Sequence, residues 1–320
     1  MKNFSVYVIV FLLIATSCGY SAKYAGESFS LGVGGRSLAM GGAAVAGPFD
    51  AFTAYWNPAG MNYLNSRIAG AMHAETFGAL LNHDYLAYID ARDKKNNLIK
   101  SFGFYFYYLG GGGIKITSLD LNNRPYVIDE VSHGDYLLAA SISGKIKNKI
   151  DFGLTGKIIY RDLGTEKGKG LTIDAGLLYK INPQMNLALM ITDITSGVIR
   201  YSGATFDDGA NYETINPTVK PGMLYNKSIN DFILRFAVSG DMKFENYKTS
   251  AQFWSGAISL DTHYGWELSF KEMLFGRAGF DRGNFTTGGG VDIKNIAVDF
   301  AYLNNSDLDE TFRISASYRW

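Results

Sequence analysis

The chain ends on Phe312-Arg313-Ile314-Ser315-Ala316-Ser317-Tyr318-Arg319-Trp320, where apolar side chains at even positions alternate with polar ones at odd positions. A period of two marks a strand with one apolar and one polar face; helical spacing does not produce it. Working back from this run, Ile296, Val298, Phe300 and Tyr302 alternate with Ala297, Asp299 and Ala301, and Tyr264, Trp266, Leu268 and Phe270 with Gly265, Glu267 and Ser269. Phe232, Leu234, Phe236, Val238 and Met242 oppose Arg235, Ser239, Asp241 and Lys243. Leu171, Ile173, Ala175, Leu177 and Tyr179 oppose Thr172, Asp174 and Lys180, and Ile150, Phe152, Leu154, Ile158 and Tyr160 oppose Asp151, Thr155, Lys157 and Arg161. Tyr136, Leu138, Ala140, Ile142 and Ile146 oppose Asp135, Ser141, Ser143 and Lys145. Strands of soluble sandwiches run about 5–6 residues, whereas a tilted strand crossing a bilayer needs about 9–11, and these runs have the longer length.

The connections provide a second test, because outer-membrane barrels have short turns on the periplasmic rim and longer loops outside. Minimal turns at Asn148, Asn182-Pro183-Gln184, Lys271-Glu272 and Lys294-Asn295 alternate with longer links at 110–133, 196–215, 245–259 and 304–310. Strands are expected near 66–75, 82–91, 98–109, 133–147, 149–162, 168–181, 185–195, 216–226, 231–244, 260–270, 273–281, 284–293, 296–303 and 311–320. The fold predicted is all-β, a transmembrane antiparallel barrel of about 14 strands with an N-terminal hatch. Tyr160, Tyr179, Tyr302, Tyr318 and Trp320 stand near strand ends, as aromatic girdles require. Gly288-Gly289-Gly290 marks a bend or close packing inside one strand.

Composition agrees with a barrel and excludes other classes. The 320 residues are 47% hydrophobic and 19% charged, with 37 glycines, 21 Phe, 21 Tyr and only 6 prolines. Thirty Lys plus Arg balance 30 Asp plus Glu, which leaves no basic excess for a nucleic-acid partner. The single cysteine, Cys18, permits no internal disulfide and no thiolate metal site.

Residues 1–22 read as a secretory signal peptide: Lys2, a ten-residue apolar run from Val6 to Ala15, then the small residues Ser17, Gly19 and Ala22. The run is too short for a membrane-spanning helix, which needs about 20 residues. Cleavage after Gly19 or after Ala22 fits, and lipid modification of Cys18 in the loose lipobox Ala15-Thr16-Ser17-Cys18 is an alternative. The expected layout is a signal at 1–22, a hatch at 23–65 and an outer-membrane barrel at 66–320.

The hatch does not alternate. It contains Gly32-Val33-Gly34-Gly35-Arg36-Ser37-Leu38-Ala39-Met40-Gly41-Gly42-Ala43, then Tyr55-Trp56-Asn57-Pro58-Ala59-Gly60. The glycines are no dinucleotide fingerprint: position 37 is serine, and no strand or acidic partner frames them. Small residues let backbone pack closely in a confined space, and Asn57-Pro58 favours a turn. Fourteen strands enclose more space than their own side chains fill, so this segment is the expected plug.

These two blocks resemble the PorV/PorQ family of outer-membrane proteins, related to FadL-type fatty-acid channels. The resemblance implies a 14-stranded barrel whose hatch motif comprises Gly34, Gly35, Arg36, Met40, Gly41, Gly42, Tyr55, Trp56, Asn57, Pro58, Ala59 and Gly60. In FadL-type members the hatch lies on the route of a hydrophobic substrate through the barrel and out sideways. It also implies that Phe312, Ile314, Tyr318 and Trp320 form the terminal signal read by the outer-membrane assembly machinery. A passive channel for hydrophobic small molecules is expected. The alternative is a PorV-like component of type IX secretion that binds exported proteins, with 110–133 and 196–215 as docking surfaces, and a third reading is a structural barrel or small porin. The channel reading predicts an apolar pocket beside the hatch and a gap in the wall, with Ala79-Leu80-Leu81 near an entrance.

Candidate chemistry is sparse. His73, His83, His133 and His263 show no metal-ligand spacing, and no nucleophile motif is present, so neither enzyme activity nor a cofactor is expected. Arg313, Asp299, Arg277, Glu267, Asp241, Arg235, Asp174, Lys157 and Asp151 point inward with both signs, as a network bracing the hatch. Asp207, Asp208, Asp307, Asp309 and Glu310 are solvated loop acids, with a divalent cation as the alternative reading.

Overall fold

The computed structural model describes residues 26–320 apart from 77, 79, 93–97, 147–148, 165, 203–211, 245–247 and 305–309. The expected signal peptide with Cys18, and Ala79, Asn148, Asp207, Asp208, Asp307 and Asp309, lie outside the described residues.

The strands are β1 (Arg67–Thr76), β2 (Leu81–Asp90), β3 (Ile99–Leu119), β4 (Pro125–Ile146), β5 (Ile150–Asp162), β6 (Lys167–Asn182), β7 (Met185–Thr192), β8 (Gly197–Ser202) and β9 (Tyr212–Ile215). They continue as β10 (Thr218–Ile229), β11 (Phe232–Lys243), β12 (Phe253–Ser255), β13 (Ile258–Phe270), β14 (Leu274–Asp281), β15 (Asn284–Ile293), β16 (Ile296–Leu303) and β17 (Thr311–Arg319). All lie in one antiparallel sheet that closes where β17 pairs with β1, from Ile68↔Arg319 to His73↔Ile314. Around the circumference β7 is followed by β10 and β11 by β13, so the closed wall has 14 strands, with β8, β9 and β12 as outer-rim additions. Closure leaves no unpaired edge in the hydrocarbon, the requirement for a spanning sheet.

The alternation sorts side chains as expected. Leu154, Ile158, Leu171, Val298, Ile314 and Tyr318 are exposed on the outer face, while Asp151, Thr155, Lys157, Asp174, Glu267, Arg277, Arg313 and Ser315 are buried inside. Aromatics gather at both margins: Tyr88, Tyr318 and Trp320 near the short turns, and Tyr108, Tyr136, Tyr160, Tyr302 and Phe312 towards the other rim.

Three of the expected long links contain strands, the one at 245–259 by way of β12. The 110–133 link is a continuation of β3 and β4, whose ladder runs on to Leu119↔Pro125 beyond the points where β2 and β5 stop. At ~3.3 Å per residue the ribbon projects roughly 30 Å from the wall. The 196–215 link contains β8 and β9; β8 pairs with β6 above β7, in the same lane. Between them Asp193 and Ser196 take positive φ, 56° and 49°, and leave the ladder. On the neighbouring strand Asn216-Pro217 separates β9 from β10. Between Thr192↔Thr218 and Gly197↔Ile215 the ladder is therefore interrupted, with four residues on one side against two on the other, because a proline cannot donate to a ladder and a bulge adds residues unequally.

The lumen is filled. Residues 33–48 are buried except for the half-buried Arg36, and the segment from Gly26 to Asn65 touches inward faces around the barrel. No helix among the described residues is long and apolar enough to cross a membrane.

Candidate functional site

Wall glycines make room for the N-terminal segment. A methyl group built on Gly265 lies 2.5 Å from the Met40 carbonyl oxygen, one on Gly279 lies 2.5 Å from Gly41 N, and one on Gly288 lies 2.7 Å from the Ala39 methyl. Across the barrel, the same construction puts Gly153 2.4 Å from Ala59 N, Gly176 2.1 Å from Asn57 Oδ1, Gly222 2.9 Å from Val45 Cβ and Gly70 2.5 Å from Ala51 Cβ. Backbone meets backbone on several strands, and only glycine permits that approach. Of the Gly288-Gly289-Gly290 run, Gly288 thus serves close packing.

The resemblance-derived hatch residues divide into anchors and spacers. Gly34 opens the helical turn Gly35–Ala39 at φ 82°, where Gly34 N faces Met72 Sδ at 3.1 Å and Gly35 N donates to Ser315 Oγ at 2.9 Å. Arg36 grips Glu267 through Nε at 2.8 Å and Nη2 at 2.7 Å. Arg235 and Arg277 donate to the same carboxylate at 2.6 and 2.7 Å, and Arg277 reaches on to Asp299 at 2.8 Å. Burial lowers the guanidinium pKa of Arg36; the charge and hydrogen bonds of Glu267, with the charges of Asp50 and Asp299, together outweigh this and raise it. Gly41 N donates to Thr286 Oγ1 at 3.0 Å, and the Gly41 carbonyl lies 3.0 Å from His263 Nδ1. Met40 packs with Leu224, Ala43, Ala46 and Ala237. Gly42, at φ 75°, has Trp56 and His263 as the neighbours a Cβ would meet.

In the second block Asn57 accepts from Ala59 N at 3.1 Å and donates to the Val45 carbonyl at 3.0 Å and to Leu177 O on the wall at 3.3 Å. Pro58 begins the short helix Pro58–Tyr63 that includes Ala59 and Gly60. Tyr55 donates to Phe29 O at 2.7 Å, and Trp56 Nε1 to Val33 O at 2.9 Å. Phe312, Ile314, Tyr318 and Trp320 lie away from all this, on the outer face of the last strand.

Several anchors lie outside the motif blocks. Asn62 donates to Gly144 O and Asp151 Oδ1, both at 2.9 Å, and accepts from Ser101 and Ser143; Tyr63 donates to Asp151 at 3.1 Å. Lone polar residues on inward faces were the available signal, and their pairing depends on register.

The lumen has two unlike sides. On β1–β5 and β8 the inward residues include Ile68, Met72, Tyr85, Ile89, Tyr105, Tyr107, Leu137, Ile159 and Ile199, packed with Phe29, Val33, Leu38, Phe52 and Met61. On β10–β16 they include Lys220, Arg235, Asp241, Glu267, Arg277 and Asp299. Where the sides meet, a cavity of about 70 Å³ is bounded by Phe29, Tyr55, Trp56, Tyr105, Lys157 and Asp193 and reaches Thr192, Asn216, Pro217 and Thr218 at the wall interruption. Lys157 binds Asp174 and Asp193 at 2.7 Å each, Lys220 binds Asp241 at 2.7 Å, and Lys243 pairs with Glu27. The pocket beside the N-terminal segment is thus as polar as it is apolar, contrary to the expected apolar lining. The inward polar face of β5 and β6 supplies Lys157 and Asp174, and burying them requires the pairs. A second cavity of about 210 Å³ lies towards the other end, among Arg36, Asp50, Tyr63, Phe275 and Asp292. Among the described residues no three His, Cys, Asp or Glu side chains converge as a metal site needs.

No family model and no curated protein sequence matches the chain. Solved structures do. The CymD monoaromatic hydrocarbon channel has a TM-score of 0.57 at 11% identity, covering 91% of this chain and 98% of that one. The Pseudomonas putida toluene transporter TodX gives 0.53 at 14% identity, covering 90% and 98%, and a Pseudomonas aeruginosa FadL homologue 0.52 at 11%, covering 86% and 95%. The chain therefore has the fold of FadL-type outer-membrane barrels. None of these three structures is a secretion component, and the PorV-like alternative gains no support from them.

Proposed function

We propose that this protein is an outer-membrane channel for hydrophobic small molecules, with residues 26–65 as the hatch and the wall interruption as the lateral exit. One observation carries the reading: the cavity beside Phe29, Tyr55 and Trp56 extends to Thr192 and Thr218, where the strand ladder breaks. A ligand leaving there passes from protein into the bilayer without crossing water, which suits an apolar solute. Fold likeness to hydrocarbon channels supports it by analogy. The 70 Å³ volume has room for only a few waters, so passage requires the aromatic side chains or the hatch to shift.

The test uses xylene as the solute. Thr192 and Thr218 face each other on β7 and β10 at the edge of the interruption, so a T192C/T218C disulfide staples it. Cells carrying the oxidised variant lose protein-dependent xylene uptake, and reduction restores it. Uptake unaffected by the staple refutes the lateral exit; no uptake by the unaltered chain refutes the channel.

A further inference from the structure

Around the cavity behind the wall interruption, two lysines are balanced and one is not. Lys220 holds Asp241 and Lys243 pairs with Glu27, one charge against one. Lys157 stands against two carboxylates, Asp174 and Asp193, at 2.7 Å from each. Asp174 is 3% exposed, and among the described residues no second cation pairs with it or with Asp193. Asp174 Oδ1 accepts twice, from Lys157 Nζ and, at 2.8 Å, from the backbone N–H of Asp193; Asp193 Oδ1 accepts from Lys157. The second oxygen of each carboxylate accepts from no described residue, and both side chains border the cavity. One negative charge is therefore left over in an enclosed space, where an uncompensated charge is costly.

The walls of the same cavity suit a cation. Phe29, Tyr55, Trp56 and Tyr105 border it, and the Tyr55 ring meets Trp56 at 5.2 Å and 82° and Tyr105 at 6.3 Å and 69°, so the rings form a corner. Tyr55 and Trp56 spend their own donors on the carbonyls of Phe29 and Val33. What remains for a ligand is π surface, which attracts ammonium groups most where water is excluded. The volume of about 70 Å³ is roughly twice the share of one liquid water, enough for a head group and too small for an apolar body. Asp193, at φ 56°, stands in the turn that leaves the ladder, so the surplus charge lies at the interruption. Tyr160, three positions along β5 from Lys157, belongs to the outer aromatic margin, which places the cavity towards the outer rim.

We propose that this cavity selects apolar solutes that carry a single ammonium group. The ammonium donates to the second oxygens of Asp174 and Asp193 beside the aromatic rings. The apolar body extends past Thr192 and Thr218 into the bilayer, with the head at the depth of the lipid head groups. The inference rests on the channel reading and narrows it, since a neutral hydrocarbon leaves the surplus carboxylate without a counter-charge.

Calorimetric titration of the intact protein in a non-ionic detergent at neutral pH compares benzylamine, benzyl alcohol and benzoate, which share a ring and are cationic, neutral and anionic. The amine binds at least ~10-fold tighter than the alcohol, the increment of a charge-assisted hydrogen bond, and benzoate binds weakest. D193N keeps an oxygen for Lys157 and leaves that lysine one-to-one with Asp174; it reduces the preference for the amine to ~2-fold or less while binding of the alcohol is unchanged. F29L removes a ring and keeps an apolar side chain, and it lowers the amine-to-alcohol ratio by ~3-fold or more, which decides the matter should D193N fail to fold. Equal binding of amine and alcohol, or tighter binding of benzoate, overturns the ammonium site and leaves the channel intact. Binding of none of the three defeats the channel reading itself. A preference for the amine that survives D193N, or displacement of the amine by potassium chloride at matching concentration, overturns the assignment.

Discussion

Gly276 and Gly279 stand three positions apart on β14, and a methyl group distinguishes their roles. At Gly276 the added carbon meets nothing within 4 Å, whereas at Gly279 it lies 2.5 Å from Gly41 N and from Met40 C. Backbone atoms cannot swing aside, so G279A is expected to cost about 1–3 kcal/mol and to displace the Met40-Gly41 turn. G276A stays within about 0.5 kcal/mol. Thermal unfolding of the two variants side by side is the check, and equal melting points refute the close-packing role. Glu267 presents the complementary case: it accepts from three guanidiniums at 2.6–2.8 Å in a dry site. E267Q removes the carboxylate that all three share, at an expected cost of about 3–5 kcal/mol in the same assay.

Asp50 couples its own ionisation to the packing of the N-terminal segment. Its Oδ1 accepts from Phe52 N at 2.8 Å, while among the described residues Oδ2 has no hydrogen-bond partner. Burial pushes its carboxyl up to about 6, against the pull of Arg36. A folded-state value above the unfolded ~3.9 means that folding takes up a proton, so this group's contribution is most favourable below about pH 4 and declines as pH rises towards 6. D50N keeps the acceptor for Phe52 and removes the ionisation. The stability of D50N relative to the unaltered chain is expected to rise by about 2–3 kcal/mol between pH 4 and pH 7 and then level off. Melting curves at pH 4, 5, 6 and 7 check it; a constant difference excludes Asp50 as the titrating group.

At the scale of elements, the ribbon formed by the outer parts of β3 and β4 is separable from the barrel. β2 leaves β3 at Gly110 and β5 leaves β4 at Gly134, so beyond these points two strands stand alone, with Leu119, Leu121, Tyr126 and Ile128 exposed. A lone hairpin contributes little stability in water. Replacing residues 113–130 by an Asn-Gly turn is therefore expected to leave the melting point of the barrel within the equivalent of about 0.5 kcal/mol. A larger loss shows that the ribbon braces the rim. This ribbon also shows where sequence reading stops. Alternation between lipid and lumen made the strands inside the membrane legible down to the outward Ile314 and inward Arg313, because two different solvents imposed the pattern. Beyond the rim both faces meet water, alternation carries no such contrast, and Gly110-Gly111-Gly112-Gly113 reads as loop although its backbone continues the ladder. Likewise Asp193-Ile194-Thr195-Ser196 reads as the end of a strand, since nothing local says that β8 resumes the same lane. The inward charges were legible as a set, but their partners were not: Arg36 and Glu267 are 231 positions apart and meet only through barrel closure.

For the molecule as a whole, function depends on how the N-terminal segment divides the lumen. A 14-strand barrel encloses more than its own side chains fill, and here the remainder is taken by Val33, Leu38, Phe52 and Met61 on the apolar side and by Arg36 on the ionic side. The ionic side carries paired charges of both signs, so it offers neither a selective ion path nor an uninterrupted column of water. The intact protein in a planar bilayer is expected to pass almost no current. Deleting residues 26–61 exposes Glu267, Arg277, Asp299 and Lys220 to a water-filled lumen while leaving the β17–β1 closure in place, so the barrel becomes an open, weakly selective pore. Steady conductance from the deletion variant together with silence from the intact chain identifies the segment as the barrier. Equal conductance from both places the barrier in the wall and outer loops instead, and a hydrophobic solute then has no reason to leave sideways.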